Sequence, residues 1–456
     1  MVSASVFQHF ICQFFSTYND SKTTLTIYFN PVTKTLTPSG YRPRIVDREV
    51  AEALQSSPAV FLDGPRASGK TWTAKNFAQS EALFDTIPGV RLAASIDAAS
   101  LLDGPVPRLL DEWQQVPEIW NPMRRACDER AEMGQFLLTG SANPPDDITR
   151  HSGAGRITRV RLRPMSLFES GESDGSVSLN KLMNGESNQP QNPGIQIPEM
   201  IELVCRGGWP RIISGTPAFA QRRLRAYLDD ISRTDIARVD DIKRDPVGIR
   251  RLLTSLGRNT GTKASYKTLA EDASGNREVP WHPRTIKEYL QALERLFVVE
   301  DLPAWQPHLR SRIALRTTPT RHFVCPSLAV AALRTNSTRL RADLNFFGFL
   351  FESLVVRDLR VYSQLEACQL SHYRDEYGLE VDVILERADG EWVAFEVKLG
   401  GDEGVMEGIE SLRQLRDRVD TKRMGDPIKL AVITATGIGV ELPDGIAVIP
   451  ITTLSP

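Results

Sequence analysis

The chain has 456 residues, of which 41% are hydrophobic and 25% charged, with a formal net charge of -2. At about 150 residues per domain this length predicts three or four domains, and the composition excludes wholesale disorder and any partner selected by bulk charge. Five cysteines, at 12, 127, 205, 325 and 368, show no C-x-x-C spacing, which argues against a zinc site or a disulfide framework and for a reduced, cytoplasmic protein.

No apolar run approaches the roughly 18 residues of a membrane span, so no membrane is expected. The opening MVSASVFQHFICQFF is apolar but lacks a basic n-region, unlike a signal peptide. Residues 1–40 are expected to be a poorly ordered extension. From Tyr41 a helix over RPRIVDREVAEALQSS precedes the strand AVFLD. Gly64, Pro65, Arg66, Ala67, Ser68, Gly69, Lys70 and Thr71 then spell GPRASGKT, a complete G-x-x-x-x-G-K-[ST] phosphate loop. Its backbone N–H groups suit α/β-phosphates, Lys70 suits β/γ-phosphates, and the Thr71 hydroxyl suits Mg²⁺. TWTAKNFAQSEAL has no Gly or Pro and supplies a helix whose N-terminus faces the phosphates. The alternative, a solvated glycine turn, does not account for strand, loop and helix in that order.

PRLLDEW follows as a short apolar strand ending in an acidic pair, with Asp111 as a Mg²⁺ ligand and Glu112 as the general base for water. Pro107 and Arg108 shorten its apolar lead-in. QFLLTGSAN ends a further strand in small hydroxyl residues, where Thr139 or Ser141 is placed to touch the γ-phosphate, the position called sensor 1 in AAA-type ATPases; the alternative is plain turn chemistry. Alternation of strands and helices over 41–168 predicts an α/β parallel-sheet core. Residues 169–197, rich in Ser, Gly, Asn, Gln and Pro, read as a surface linker, and 198–251 as a helical lid. Residues 252–342 have the order of a winged helix, with Ile286, Tyr289, Leu290, Leu293 and Leu296 as an amphipathic core face. Between Leu302 and Ala342 stand seven arginines (310, 312, 316, 321, 334, 339 and 341) and no acidic residue. That stretch suits a DNA backbone, with Arg284 and Lys287 as the first recognition-helix residues to test; a solvated basic surface is the alternative.

Residues 343–456 read as a separate α/β domain. EVDVILERADGEWVAFEVK puts Asp382 on one strand and Glu396 with Lys398 on the next, the latter two sharing a face while Val397 points to the core. This is the D…E-x-K pattern of PD-(D/E)xK nucleases, in which Asp382 and Glu396 would hold divalent ions and Lys398 would orient water. Glu352, on the preceding helix, matches a further acidic ligand. Val381 stands where that pattern has proline, and a strand hairpin with exposed charges is the alternative.

The stretches PRIVDREV, FLDGPRASGKT, LLDEWQQVPEIW, FLLTGSA, GRITRVRLRPMSLFE, GGWPR, YLDDISRTDI and YRDEYGLEVDVIL with FEVK together resemble a bacterial and archaeal family of AAA-type ATPases with a restriction-endonuclease-like C-terminal domain. The resemblance covers nearly everything after residue 40. It implies ATP as the nucleotide, and it implies that Arg156, in the G-R element, contacts phosphate in cis or from a neighbouring subunit of a homo-oligomer; a structural role within the cluster Arg159, Arg161 and Arg163 is the alternative. The expected function is ATP hydrolysis controlling a DNA-associated tail. Two others are weighed against it: a nucleotide-dependent switch or scaffold with negligible hydrolysis, and a metal-dependent nuclease regulated by ATP.

Overall fold

The computed structural model describes residues 36–86, 89–140, 153–186, 194–238, 244–275, 281–305 and 317–456. Thr35–Pro456 form one compact unit. Of the expected N-terminal extension, residues 1–35 lie outside the described residues, whereas Leu36 already belongs to the fold, its N–H donating to Ala78 O at 3.2 Å.

The first layer is built by α1 (Val46–Ser56), β1 (Ala59–Asp63), α2 (Lys70–Phe77), β2 (Ser80–Leu83), α3 (Val90–Asp97), β3 (Arg108–Asp111), α4 (Trp120–Arg130), β4 (Phe136–Gly140) and β5 (Ile157–Arg161). The strands form one sheet in the order β2-β3-β4-β1-β5, every pairing parallel. Alternation along each strand feeds two cores. Phe61, Leu110 and Leu138 pack with Trp113 and Trp120 on one face, while Val60, Leu62, Leu109 and Leu137 pack with Val50 and Ala74 on the other. A parallel sheet covered on both faces results, as βαβ crossovers require.

The helix after the phosphate loop is shorter than its composition predicts. It stops at Phe77, and SEAL forms edge strand β2, paired from Ser80↔Arg108 to Leu83↔Asp111; tertiary pairing overrides the helix propensity of Glu, Ala and Leu. Despite Pro107 and Arg108, β3 is a regular four-residue strand in which Leu109 and Leu110 are fully buried.

Over its described residues 169–186, the expected surface linker is corrected by the structure. That part takes in the end of α5 (Leu167–Ser170), β6 (Val177–Ser178) and α6 (Leu179–Met183), and Val177, Leu179, Leu182 and Met183 are all buried. These few apolar positions sit inside a polar composition and pair with the far end of the chain, Val177 standing opposite Leu454. Residues 187–193 lie outside the described residues.

Next come α7 (Ile197–Arg206), α8 (Pro217–Asp230), α9 (Pro246–Arg258), α10 (Tyr266–Ser274) and α11 (Pro283–Arg295). Helix α9 runs across residue 251, so no boundary falls there. After α11, antiparallel bridges join Val299 to Phe323 and Leu302 to Thr320. Ile286, Leu290 and Leu293 are buried on α11 as its periodicity predicts.

Helices α12 (Pro326–Ala332), α13 (Ser337–Arg341) and α14 (Leu344–Tyr362) lead into β7 (Gln369–Arg374), β8 (Glu380–Glu386), β9 (Trp392–Lys398), α15 (Asp402–Arg418), β10 (Lys429–Thr434), β11 (Val440–Glu441), β12 (Ala447–Pro450) and β13 (Leu454–Ser455). The second sheet is mixed, in the order β11-β12-β10-β9-β8-β7. β7, β8 and β9 run antiparallel to one another, and β10 lies parallel to both β9 and β12. One hydrophobic core extends from Leu167 through α7–α14 to Leu454, so the helical and C-terminal segments share an interior.

Candidate nucleotide site and a second carboxylate cluster

The phosphate loop leaves β1 where the backbone admits no side chain. Gly64 has φ +143°, and a Cβ there would lie 2.1 Å from Leu162 O. Lys70 opens α2, is almost wholly buried, and donates to Gly64 O (2.9 Å) and Pro65 O (2.8 Å). Burial lowers its pKa to about 8, against the opposing pull of Glu112, Asp63 and Asp111. Asp111 closes β3. Its carboxyl is raised by burial, with hydroxyl donors from Thr139 and Thr71 working the other way; the Thr139 bond is 2.6 Å. Glu112 has left-handed φ (+53°), donates its N–H to Thr139 Oγ1 (3.0 Å), and is likewise raised by burial while Lys70 opposes. Lys70, Thr71, Asp111 and Glu112 are thus brought together at the carboxyl end of the parallel strands, where ligands bind in open α/β sheets. Thr139, rather than a loop residue, ties the two acidic positions together. Ser141 lies outside the described residues.

Arg156 does not join them. Its carbonyl accepts from Ala59 N at the start of β1, about 13 Å of strand from the loop, and its guanidinium pairs with Asp128 at 2.6 Å. Contact with phosphate in cis is therefore corrected: the parallel register puts the start of β5 at the opposite edge of the sheet.

The second cluster lies on α14, β8 and β9. Asp382 accepts from Val397 N (2.8 Å), and the neighbouring Glu396 carboxyl is raised by burial and by the charge of Asp382. Burial raises Glu352, Asp382 and Glu396 alike, Glu352 and Glu396 well above the usual range. Lys398 Nζ stands 3.7 Å from Glu396 Oε2, and Val397 packs against the core as the alternation predicts. Glu352 and Asp382 border a cavity of about 270 Å³ shared with Lys263, His372, Arg374 and Glu380. The donors suit a hard divalent ion. Among the described residues no group of three or more His, Cys, Asp or Glu side chains is placed to hold one together. Asp382 accepts from Val397 N, and Glu352, on the same cavity, stands 4.0 Å from His322.

On the basic stretch, Arg310, Arg312 and Arg316 lie outside the described residues. Arg321 is corrected from a phosphate contact to a structural group: it is buried, paired with Asp301 and donates to Ala264 O. Arg334, Arg339 and Arg341 are exposed, as are Arg284 and Lys287 on α11.

Three segments match family models: residues 56–170 the AAA domain, residues 197–339 a domain of unknown function (DUF8612), and residues 347–454 another (DUF4143). Residues 56–170, which carry the phosphate loop, are thus similar to an AAA domain. The chain is 26% identical over 365 residues to the uncharacterized proteins Mb2031c of Mycobacterium bovis and Rv2008c of Mycobacterium tuberculosis, covering 76% of this chain and 71% of each relative. Among solved structures, the Walker-type ATPase PABY2304 of Pyrococcus abyssi aligns with 65% of this chain and 99% of its own, at 14% identity and a TM-score of 0.39, a distant likeness. A single family segment spans both the expected lid and the expected winged helix. Among the described residues no helix is long and apolar enough to cross a membrane.

The AAA-type domain is also braced by residues that sequence reasoning left without a role. Arg44 donates to Ser68 O (3.0 Å) and Arg163 O (2.8 Å) and pairs with Glu169 at 2.9 Å. Trp209, in GGWPR, donates from Nε1 to Arg66 O at 3.1 Å. Asp63 pairs with Arg161 at 2.5 Å. The partners of Arg44 and Trp209 lie 125 and 143 positions away. The stretches PRIVDREV, MSLFE and GGWPR, among those that carry the family resemblance, were the only signal.

Proposed function

We propose that this chain is an ATP-hydrolysing AAA-type protein whose nucleotide state controls a DNA-associated winged-helix and nuclease-like tail. The convergence of Lys70, Thr71, Asp111 and Glu112 beside the phosphate loop carries the reading. Lys70 exchanges the Gly64 and Pro65 carbonyls for phosphate oxygens, and Thr71 and Asp111 would hold Mg²⁺, which would supply positive charge to offset that of the phosphates. Glu112 takes the proton of a water whose oxygen bonds to the γ-phosphorus, and ADP leaves with the electron pair of the broken bond. Arg156 is reserved for the nucleotide of a neighbouring copy, which makes a homo-oligomer the acting form.

Contacts running from β5 to α14 support control of the tail. Arg163 pairs with Glu300 at 2.6 Å, Arg360 donates to Glu300 O (2.8 Å) and Asp301 O (3.0 Å), and Gln364 donates to Arg161 O (2.8 Å). Asp358, on the same helix as Glu352 and about 9 Å along it, accepts from Leu167 N at 3.0 Å. A shift of β5 on nucleotide binding therefore meets the helix that carries Glu352. ATP binding and turnover by wild type, Lys70→Ala and Glu112→Gln, with and without DNA, test the proposal. Loss of binding in the first variant, binding without turnover in the second, and stimulation by DNA are expected.

Metal-dependent cleavage of nucleic acid is the second reading, favoured by the buried Asp382, Glu396 and Glu352 carboxyls gathered beside Lys398. A divalent ion held by Asp382 and Glu396 would offset the charge of these carboxylates. Incubating DNA with Mg²⁺ or Mn²⁺ and with Asp382→Ala and Lys398→Ala controls tests it; equal cleavage by all three proteins sinks it.

A further inference from the structure

Glu112 is gripped from within its own turn. Gln114 Nε2 donates to Glu112 Oε2, and only this orientation of the amide satisfies an ionised carboxylate, since the flipped one would set two acceptors face to face. The other end of the amide, Oε1, is buried without a hydrogen-bond partner. It lies against the end of β4, where a Cβ on Gly140 would come within 3.0 Å of it. Among the described residues the contact to Glu112 is thus the one hydrogen bond orienting this side chain. The turn Trp113–Gln115 that presents it is fixed: Trp113 is fully buried, stacked on Trp120 (4.8 Å between ring centroids) and edge-on to Phe61 (6.1 Å). Gln115 N closes the turn on Glu112 O at 2.9 Å.

We propose that Gln114 is a positioning residue for hydrolysis, its amide pinning one oxygen of Glu112 so that the other faces the attacking water. The proposal rests on Glu112 being the general base. A buried amide that leaves its own carbonyl unsatisfied, and spends its donor on a carboxylate, is costly to keep as mere filler.

Steady-state turnover and ATP affinity of full-length Gln114→Ala are measured separately. Turnover is expected to fall about tenfold, the effect of one charge-assisted hydrogen bond on an oriented base, with affinity within about twofold. Gln114→Asn, one methylene shorter, is expected to restore little. Turnover equal to or above wild type overturns the proposal, a rise meaning that Gln114 restrains Glu112 instead. A second measurement does not depend on turnover. The Gln114 side-chain amide resonance, identified by its loss in Gln114→Ala, is expected to move in Glu112→Ala; an unmoved resonance also overturns the pin. If Glu112→Gln hydrolyses ATP like wild type, the general-base reading fails, and the resonance still decides whether the amide holds Glu112.

Discussion

Replacing Arg44 by alanine removes the brace behind the phosphate loop, and its size follows from the contacts. Arg44 and Glu169 have side chains only 4% and 2% exposed, and stranding one partner of a buried pair costs about 3–5 kcal/mol. Glu169 keeps Ile45 N (2.9 Å), Ser166 N (2.8 Å) and the Ser166 hydroxyl (3.2 Å), which points to the lower end, about 3 kcal/mol. With a urea dependence near 3 kcal/mol/M, the midpoint of a tryptophan-fluorescence melt should drop by about 1 M. Ser68 O and Arg163 O lose their donor in the same step, so ATP affinity should fall too. Arg44→Lys, which keeps charge but not the planar fork, should lie between, and Arg44→Ala with Glu169→Ala should recover part of the loss by removing the stranded carboxylate. A midpoint within about 0.2 M of wild type would refute the brace.

Glu49 gives a pH signature. Burial raises its pKa to about 7, so between its unfolded value of 4.5 and about 7 the folded chain holds a proton the unfolded chain has lost. Stability falls as pH rises through that window; Glu49→Gln should flatten this part of the urea-midpoint profile, and an unchanged slope would contradict it. Gly64→Ala should abolish ATP binding, because its Cβ would meet Leu162 O; normal binding by calorimetry would show that the loop leaves β1 differently. Arg156→Ala should leave single-site ATP affinity unchanged, and a tenfold loss would restore a role in cis. Arg284→Ala with Lys287→Ala should weaken DNA binding more at low than at high salt without moving the melting midpoint, whereas Arg321→Ala should lower the midpoint; the reverse pattern would exchange their roles.

The parts legible in the sequence were those with local physics. GPRASGKT, the Asp111–Glu112 pair and the alternation around Val397 each declare a backbone geometry or a face within a few residues, and the parallel sheet follows from them. Leu109 and Leu110 make a buried strand even after Pro107 because only four residues are needed opposite β4. What stayed hidden depends on distant partners. Val177 looks like one apolar residue in a polar tract until Leu454 pairs with it; SEAL is a strand only because Arg108 lies beside it; Arg321 is one of seven arginines until Asp301 is seen. Gln114 was legible as part of LLDEWQQVPEIW, but its grip on Glu112 needed the turn that Trp113 anchors. For Arg156 only the contact in cis fails, for a reason of register: the G-R element precedes β5, and parallel pairing sends its start away from the loop of the same chain.

The central claim is that Glu112 activates water at a nucleotide held by Lys70, and ATP turnover by Glu112→Gln beside wild type, with binding measured on the same samples, tests it most directly. Wild type should turn over, and the variant should bind ATP as tightly while losing about 100-fold or more of the rate, the usual contribution of a general base. Equal turnover by the two proteins would contradict the claim.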